Sequence, residues 1–184
     1  MLSQISVGRR CCIVNAQSVV DQAFDFEATF RAQYEHIARV IASVVKDRAR
    51  AEELAVEVFL KLWRSPSAQG EKAEGWLYRT AVRRGLDELR QRTRRSRYES
   101  LLRVGQKVPT PEDVRNAAEE QEKVRLVLAV LASRQAELLI LRSQGLSYEE
   151  LAMALELNPA SIGTLLSRAQ DAFRKEYLKR YGTE

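Results

Sequence analysis

The chain is poor in the residues that most often carry catalysis and metal binding: one histidine, His36, and two cysteines, the adjacent Cys11 and Cys12, in 184 residues. Neighbouring cysteines are badly placed to bridge one another, and no third thiol exists to close a loop, so neither a disulfide scaffold nor a metal site is expected. A reducing cytoplasm fits that usage. His36 lies in a helical pattern with no cysteine or second histidine nearby, which makes it a helix-surface residue rather than a ligand or a base. Apolar runs are short too. Leu126 to Ala132 is among the longest, far below the roughly 20 residues that span a bilayer, so no membrane contact is expected. At the start, Arg9 and Arg10 precede an apolar run that Asn15 and Gln17 interrupt, so a disordered extension over 1–22 is expected rather than a signal segment. There is no phosphate-cradling glycine loop and no nucleophile paired with a base. The chain is therefore expected to have no catalytic residue, no cofactor and no enzymatic activity.

What the chain does have is charge and helical periodicity. Charged residues make up 30%, with 30 Lys and Arg against 25 Asp and Glu, for a net charge of +5. That balance suits a polyanionic partner and equally a merely basic protein. Apolar residues, 45% of the chain, recur at three and four rather than alternating, which predicts an all-α fold. Phe26, Phe30, Ile37, Ile41 and Val44 mark the face of a first helix, about 25–46. Leu54, Val58 and Leu62, flanked by Phe59 and by Trp63, which is expected in the core, mark a second, about 49–64. After a loop over 65–70, a third helix carries Trp76, Leu77, Ala81, Leu86 and Leu89 into an arginine-rich end. Periodicity then fades from Tyr98 to Glu122, across Gly105, Pro109 and Pro111. The expected organisation is two small helical domains, 23–97 and 123–184, joined by a linker over 98–122.

In the second domain Ser133 is a candidate N-cap, Gly145 a stop, and Ser147 with Glu150 a capping box ahead of a helix over about 148–155. Asn158 followed by Pro159 starts a last helix with Ile162, Leu166, Ala169 and Phe173 on its buried side. A short capped helix, a connection of about three residues and a second amphipathic helix are the signature of a helix-turn-helix. Its groove-reading face would comprise Ser147, Tyr148, Asn158, Ala160, Ser161, Gly163, Thr164, Ser167 and Arg168. A plain helical hairpin is the bland alternative.

Two further clusters stand out. Arg79, Arg83, Arg84, Arg90, Arg92, Arg94, Arg95 and Arg97 are opposed locally only by Asp87 and Glu88. Such a stripe either holds a nucleic-acid backbone by paired guanidinium hydrogen bonds or is a solvated helix end. Trp76 and Tyr78 at its start could stack unpaired bases, although Trp76 could equally be core. Glu52, Glu53, Leu54, Glu57, Phe59 and Leu60 mix carboxylates with apolar groups and could dock on a basic partner helix.

The segments AEELAVEVFLKLWR (51–64), EGWLYRTAVRRGLDELRQRTRR (74–95) and LASRQAELLILRSQGLSYEELAMALELNPASIGTLLSRAQDAF (131–173) together resemble regions 2 and 4 of extracytoplasmic-function sigma factors, of the sigma-70 family. The resemblance implies a partner and a division of labour. The helix at 51–64 would dock on core RNA polymerase. Trp76, Tyr78, Arg79, Arg83, Arg84, Arg90, Arg94 and Arg95 would capture the melted non-template strand of the minus-ten element. The helix-turn-helix would read the minus-thirty-five element as duplex promoter DNA, and an anti-sigma factor is a further candidate partner. The chain departs from the family at Val56, where glutamine is usual, at Arg83, where asparagine is usual, and at Gly163 and Leu165, where cations are common. Two other readings compete: a helix-turn-helix regulator acting without polymerase, and a degenerate sigma-like chain that occupies polymerase or an anti-sigma partner. A single fused core with the polar side of the last helix packed inward would exclude the two-module reading.

Overall fold

The computed structural model describes residues 24–102 and 112–182. Cys11 and Cys12, the expected N-terminal extension, and Gly105, Pro109 and Pro111 of the expected linker lie outside the described residues. Among those described there are seven α-helices and no strand: α1 Phe26–Val45, α2 Arg48–Trp63, α3 Ala73–Leu102, α4 Glu112–Val130, α5 Ser133–Ser143, α6 Tyr148–Leu155 and α7 Ile162–Tyr181. The all-α expectation holds. The stretch expected as linker is helical at both of its ends, because α3 runs on to Leu102 and α4 begins at Glu112.

Local chemistry sets the boundaries. Asp25 caps α1 by accepting from the Ala28 N–H at 2.9 Å, and Asp47 caps α2 by accepting from the Arg50 N–H at 3.1 Å. Each carboxylate satisfies one of the donors that a helix N-terminus leaves open. Between them Lys46 takes a left-handed conformation, φ 61°, which folds α2 back on α1. Gly145, φ 91°, ends α5 in a conformation that costs glycine little. Both bonds of the capping box are made: Ser147 Oγ accepts from the Glu150 N–H at 3.2 Å, and Glu150 Oε2 accepts from the Ser147 N–H at 2.6 Å. Ser133, expected as an N-cap, instead begins the helix; Ala132 holds the cap position without a side-chain bond.

Helices α1, α2 and α3 pack mutually around Ile37, Ile41, Leu54, Leu62, Leu77 and Leu86, all essentially sealed from solvent. Phe59 closes one end, edge-on to Phe30 at a centroid distance of 4.8 Å and to Phe26 at 6.4 Å. Helices α4 to α7 form a second unit around Leu138, Leu141, Leu151, Leu155 and Ile162. The two units meet where α3 lies against α4, α5 and α6, and their buried side chains join into one connected core. The core is thus fused, but the polar side of α7 is not turned into it, since Thr164, Ser167 and Arg168 are exposed. Only half of the excluding condition is met.

Candidate nucleic-acid and polymerase interfaces

On α2 the expected docking residues separate. Glu53, Glu57 and Leu60 are exposed and Glu52 is half-exposed, whereas Leu54 and Phe59 are buried in the first unit's core and cannot reach a partner. The correction follows from helical phase: positions 54, 58 and 62 point at α1 and α3, and Phe59 shares their side. Val56, Leu60 and Trp63 point the other way. Trp63, expected in the core, is 60% exposed, and with Leu60 and Val56 it makes an apolar stripe flanked by Glu53 and Glu57. The signal for that stripe was present in the sequence as an apolar run continuing round the helix beyond the width of a single buried face.

The arginine stripe of α3 is largely engaged within the chain. Arg79 pairs with Glu156 at 2.7 Å, and Arg83 donates from Nε to Glu137 at 2.9 Å. Arg84 pairs with Glu57, and Arg92 pairs with Glu88 at 2.9 Å and Asp47 at 3.2 Å. Arg90 donates to the carbonyls of Ala129 and Leu131 and to Ser133 Oγ, each at 3.1 Å, so it closes the C-terminal end of α4. Local sequence placed only Asp87 and Glu88 against these cations; the fold brings carboxylates from α2, α5 and the turn after α6. Arg94 and Arg95 remain exposed. Hydrogen bonding to Arg79 holds the Glu156 carboxyl below its ordinary value. Burial pushes Glu88 upward, but hydrogen bonds from Arg50 and Arg92 outweigh it and keep that carboxyl low.

Glu137 is the buried member of this set, 2% exposed, with Arg134 near its second oxygen at 3.7 Å. Trp76 and Tyr78 are half-buried. Trp76 lines a groove of about 560 Å³ between α3 and α6 with Met153, Ala154 and Glu156. Burial, and then the charges of Glu74 and Glu150, push the Tyr78 phenol upward. The contact is closest at Gly75, where an added Cβ would stand 3.2 Å from the Ala154 Cα. Glycine is what permits α3 and α6 to approach so nearly.

The helix-turn-helix face is open. Ser147, Tyr148, Asn158, Ala160, Thr164, Ser167 and Arg168 are exposed, with Ser161 and Gly163 half-buried beside them. Asn158 Oδ1 accepts from the Ala160 N–H at 3.0 Å, ordering the entry to α7, while Arg142 lies over the Tyr148 ring at 5.4 Å. Leu165 is half-buried and packed against the core, which accounts for an apolar residue at that position. No helix among the described residues is long and apolar enough to cross a membrane, and none of their His, Cys, Asp and Glu side chains form a cluster of three or more that could hold a metal ion.

Residues 29–95, drawn from α1, α2 and α3, match the sigma-70 region 2 family. Similar proteins extend the match along the chain. The ECF RNA polymerase sigma factor SigK of Mycobacterium bovis (strain BCG / Pasteur 1173P2) is 28% identical over 160 residues, covering 80% of this chain and 83% of that protein. SigE of Mycolicibacterium smegmatis is 27% identical over 160 residues, covering 84% of this chain and 62% of its own. Among solved structures, the sigma factor RpoE in complex with the anti-sigma factor NepR from Bartonella quintana aligns with a TM-score of 0.49 at 20% identity, over 84% of this chain and 97% of that one. The chain thus carries a segment that matches sigma-70 region 2 and is similar over most of its length to extracytoplasmic-function sigma factors.

Proposed function

We propose that this chain acts as the promoter-specificity subunit of RNA polymerase, binding the core enzyme and directing promoter recognition, melting and initiation in the cytoplasm. The observation that carries this reading is the presence, in one chain, of a sigma-70 region 2 and a helix-turn-helix whose α7 polar face is exposed. In this reading the region 2 domain is 23–97 and the helix-turn-helix domain 123–184, with the segment between as connector. Glu53, Val56, Glu57, Leu60 and Trp63 form the polymerase face. Arg94 and Arg95 hold promoter phosphate, and Thr164, Ser167 and Arg168 lead the approach to duplex. Arg79, Arg90 and Trp76 become available to a melted strand when the two units separate, since the second unit packs over them, and the same step frees the exposed Arg83 from Glu137. No covalent step is assigned to the chain; melting is driven by binding of extruded bases. An anti-sigma factor is a further proposed partner.

Run-off transcription from genomic fragments, with holoenzyme reconstituted from this chain and core polymerase, tests the reading. Discrete start sites that depend on the chain are expected; core binding without transcripts would overturn it. That second outcome would favour a polymerase-occupying interaction protein, the reading that Gly163 and Leu165 motivate by removing cations from the recognition helix.

A further inference from the structure

Arg125 is the most unusual charge in the molecule outside the interfaces above. It sits on α4 with 9% of its surface exposed, and its Nε and Nη1 have no hydrogen-bond partner. The nearest carboxylate, Glu122 Oε2, lies 3.6 Å from Nη1, too far for a hydrogen bond, on a side chain that is itself 54% exposed. Burying a guanidinium without satisfying its donors is strongly unfavourable unless an anion completes the site.

The surroundings deepen the deficit rather than relieve it. Arg125 lines a cleft of about 480 Å³ together with Lys46, Arg92, Arg97, Arg180 and the single carboxylate Glu122. Arg92 is neutralised by Glu88 and Asp47, and Arg180 by Glu176 at 3.3 Å. Glu122 offsets the Arg125 charge without satisfying its donors, and Lys46 makes no ion pair among the described residues, so the cleft keeps a positive charge and open guanidinium donors. The volume falls in the range of small-ligand sites. No aromatic ring lines it, so charge and hydrogen bonding, not stacking, would select the ligand. Guanidinium forks match the oxygens of a phosphoryl group two at a time.

We propose that this cleft binds a small anion bearing a pyrophosphate group, with Arg125 as its central ligand and Lys46 at its mouth. The site draws Lys46, Arg92 and Arg97 from the first unit and Arg125 and Arg180 from the second, so the bound anion ties the two units together. Calorimetric titration of the full chain with inorganic pyrophosphate at low salt tests this directly. One saturable site per chain is expected, weakened at least tenfold by Arg125→Met and about threefold by Lys46→Asn. Lys46 is on the surface in a left-handed conformation that asparagine tolerates, so this variant keeps the test decisive if Arg125→Met fails to fold. Arg174→Ala and Lys175→Ala, exposed cations of α7 outside the cleft, should leave affinity within twofold. A parallel titration with ADP separates the sources: equal or tighter binding points to a nucleotide-borne pyrophosphate, weaker binding to the free anion, and either supports the site. Absence of a saturable site, variants of Arg125 and Lys46 that bind like wild type, or an equal loss in the α7 controls would overturn it. So would displacement of pyrophosphate by a single-stranded oligonucleotide whose own binding needs Arg125, because the cleft would then belong to the nucleic-acid track.

Discussion

Phe59 and Trp63 are both aromatic, four positions apart on α2, and they serve opposite ends. Phe59 is 1% exposed and braced by Phe26, Phe30 and Tyr34, so Phe59→Ala removes packed volume and should lower stability by about 3–5 kcal/mol in urea unfolding. Trp63 is on the surface, so Trp63→Ala should leave the unfolding midpoint nearly unchanged while weakening capture of core polymerase about tenfold or more, as a lost aromatic anchor does. Normal core binding by Trp63→Ala would remove α2's apolar stripe from the interface. Gly163 offers a gain-of-function test. A Cβ there would meet Tyr148 Cε2 at 3.7 Å, ordinary contact, so Gly163→Lys introduces its Cβ without a clash and adds a cation to the proposed recognition face. Affinity for duplex promoter DNA should rise several-fold at low salt, with the salt slope steeper by about one phosphate contact.

At the scale of the element, α3 combines two kinds of arginine. Those facing α5, α6 and α2 are paired, whereas Arg94 and Arg95 lie on its exposed end. Arg94→Ala with Arg95→Ala should therefore weaken promoter-complex formation and lower the slope of log affinity against log salt by up to about two, measured by filter binding across a salt series. An unchanged slope would leave the stripe idle. The joint of α1, α2 and α3 also has an acid limit. The Arg50 backbone N–H, then the Arg92 side chain, lower Asp47 from its ordinary 3.8; Glu88, after its opposing burial, is lowered from 4.5 by Arg50 and Arg92. Folded carboxyls that titrate below their unfolded values contribute stability above the unfolded pKa and lose it as pH falls through the folded one. The urea midpoint should therefore fall below about pH 4.5, and Glu88→Gln should make that decline shallower.

For the molecule as a whole, the packing of α3 against α5 and α6 covers part of the proposed promoter-contacting set, Trp76 and Arg79, and leaves Arg94 and Arg95 open. A Cβ at Gly75 would stand 3.2 Å from the Ala154 Cα, so a larger side chain there must push α6 off α3. A Gly75→Leu variant should therefore bind a minus-ten single strand several-fold more tightly than the unaltered chain, with its helical content retained by circular dichroism. Unchanged binding would mean that the packing of α6 over Trp76 and Arg79 does not limit access to the strand. The inter-unit ion pairs explain why the arginine run does not repel itself apart: Glu137 and Glu156 stand 54 and 77 positions along the chain from Arg83 and Arg79 and still neutralise them.

By itself the sequence determined the helical class, the caps at Ser147 and Asn158, the polar face of α7 and the family resemblance, because caps, turns and amphipathic periods are encoded within a few neighbouring residues. It could not divide Leu54 and Phe59 from Val56 and Trp63, since an apolar run wider than one face leaves the buried side undecided until α1 and α3 pack against it. Nor could it tell which arginines remain for DNA, or that Arg125 is buried without a partner. Those depend on carboxylates and cations brought together from distant helices, and only the tertiary structure chooses which charges meet.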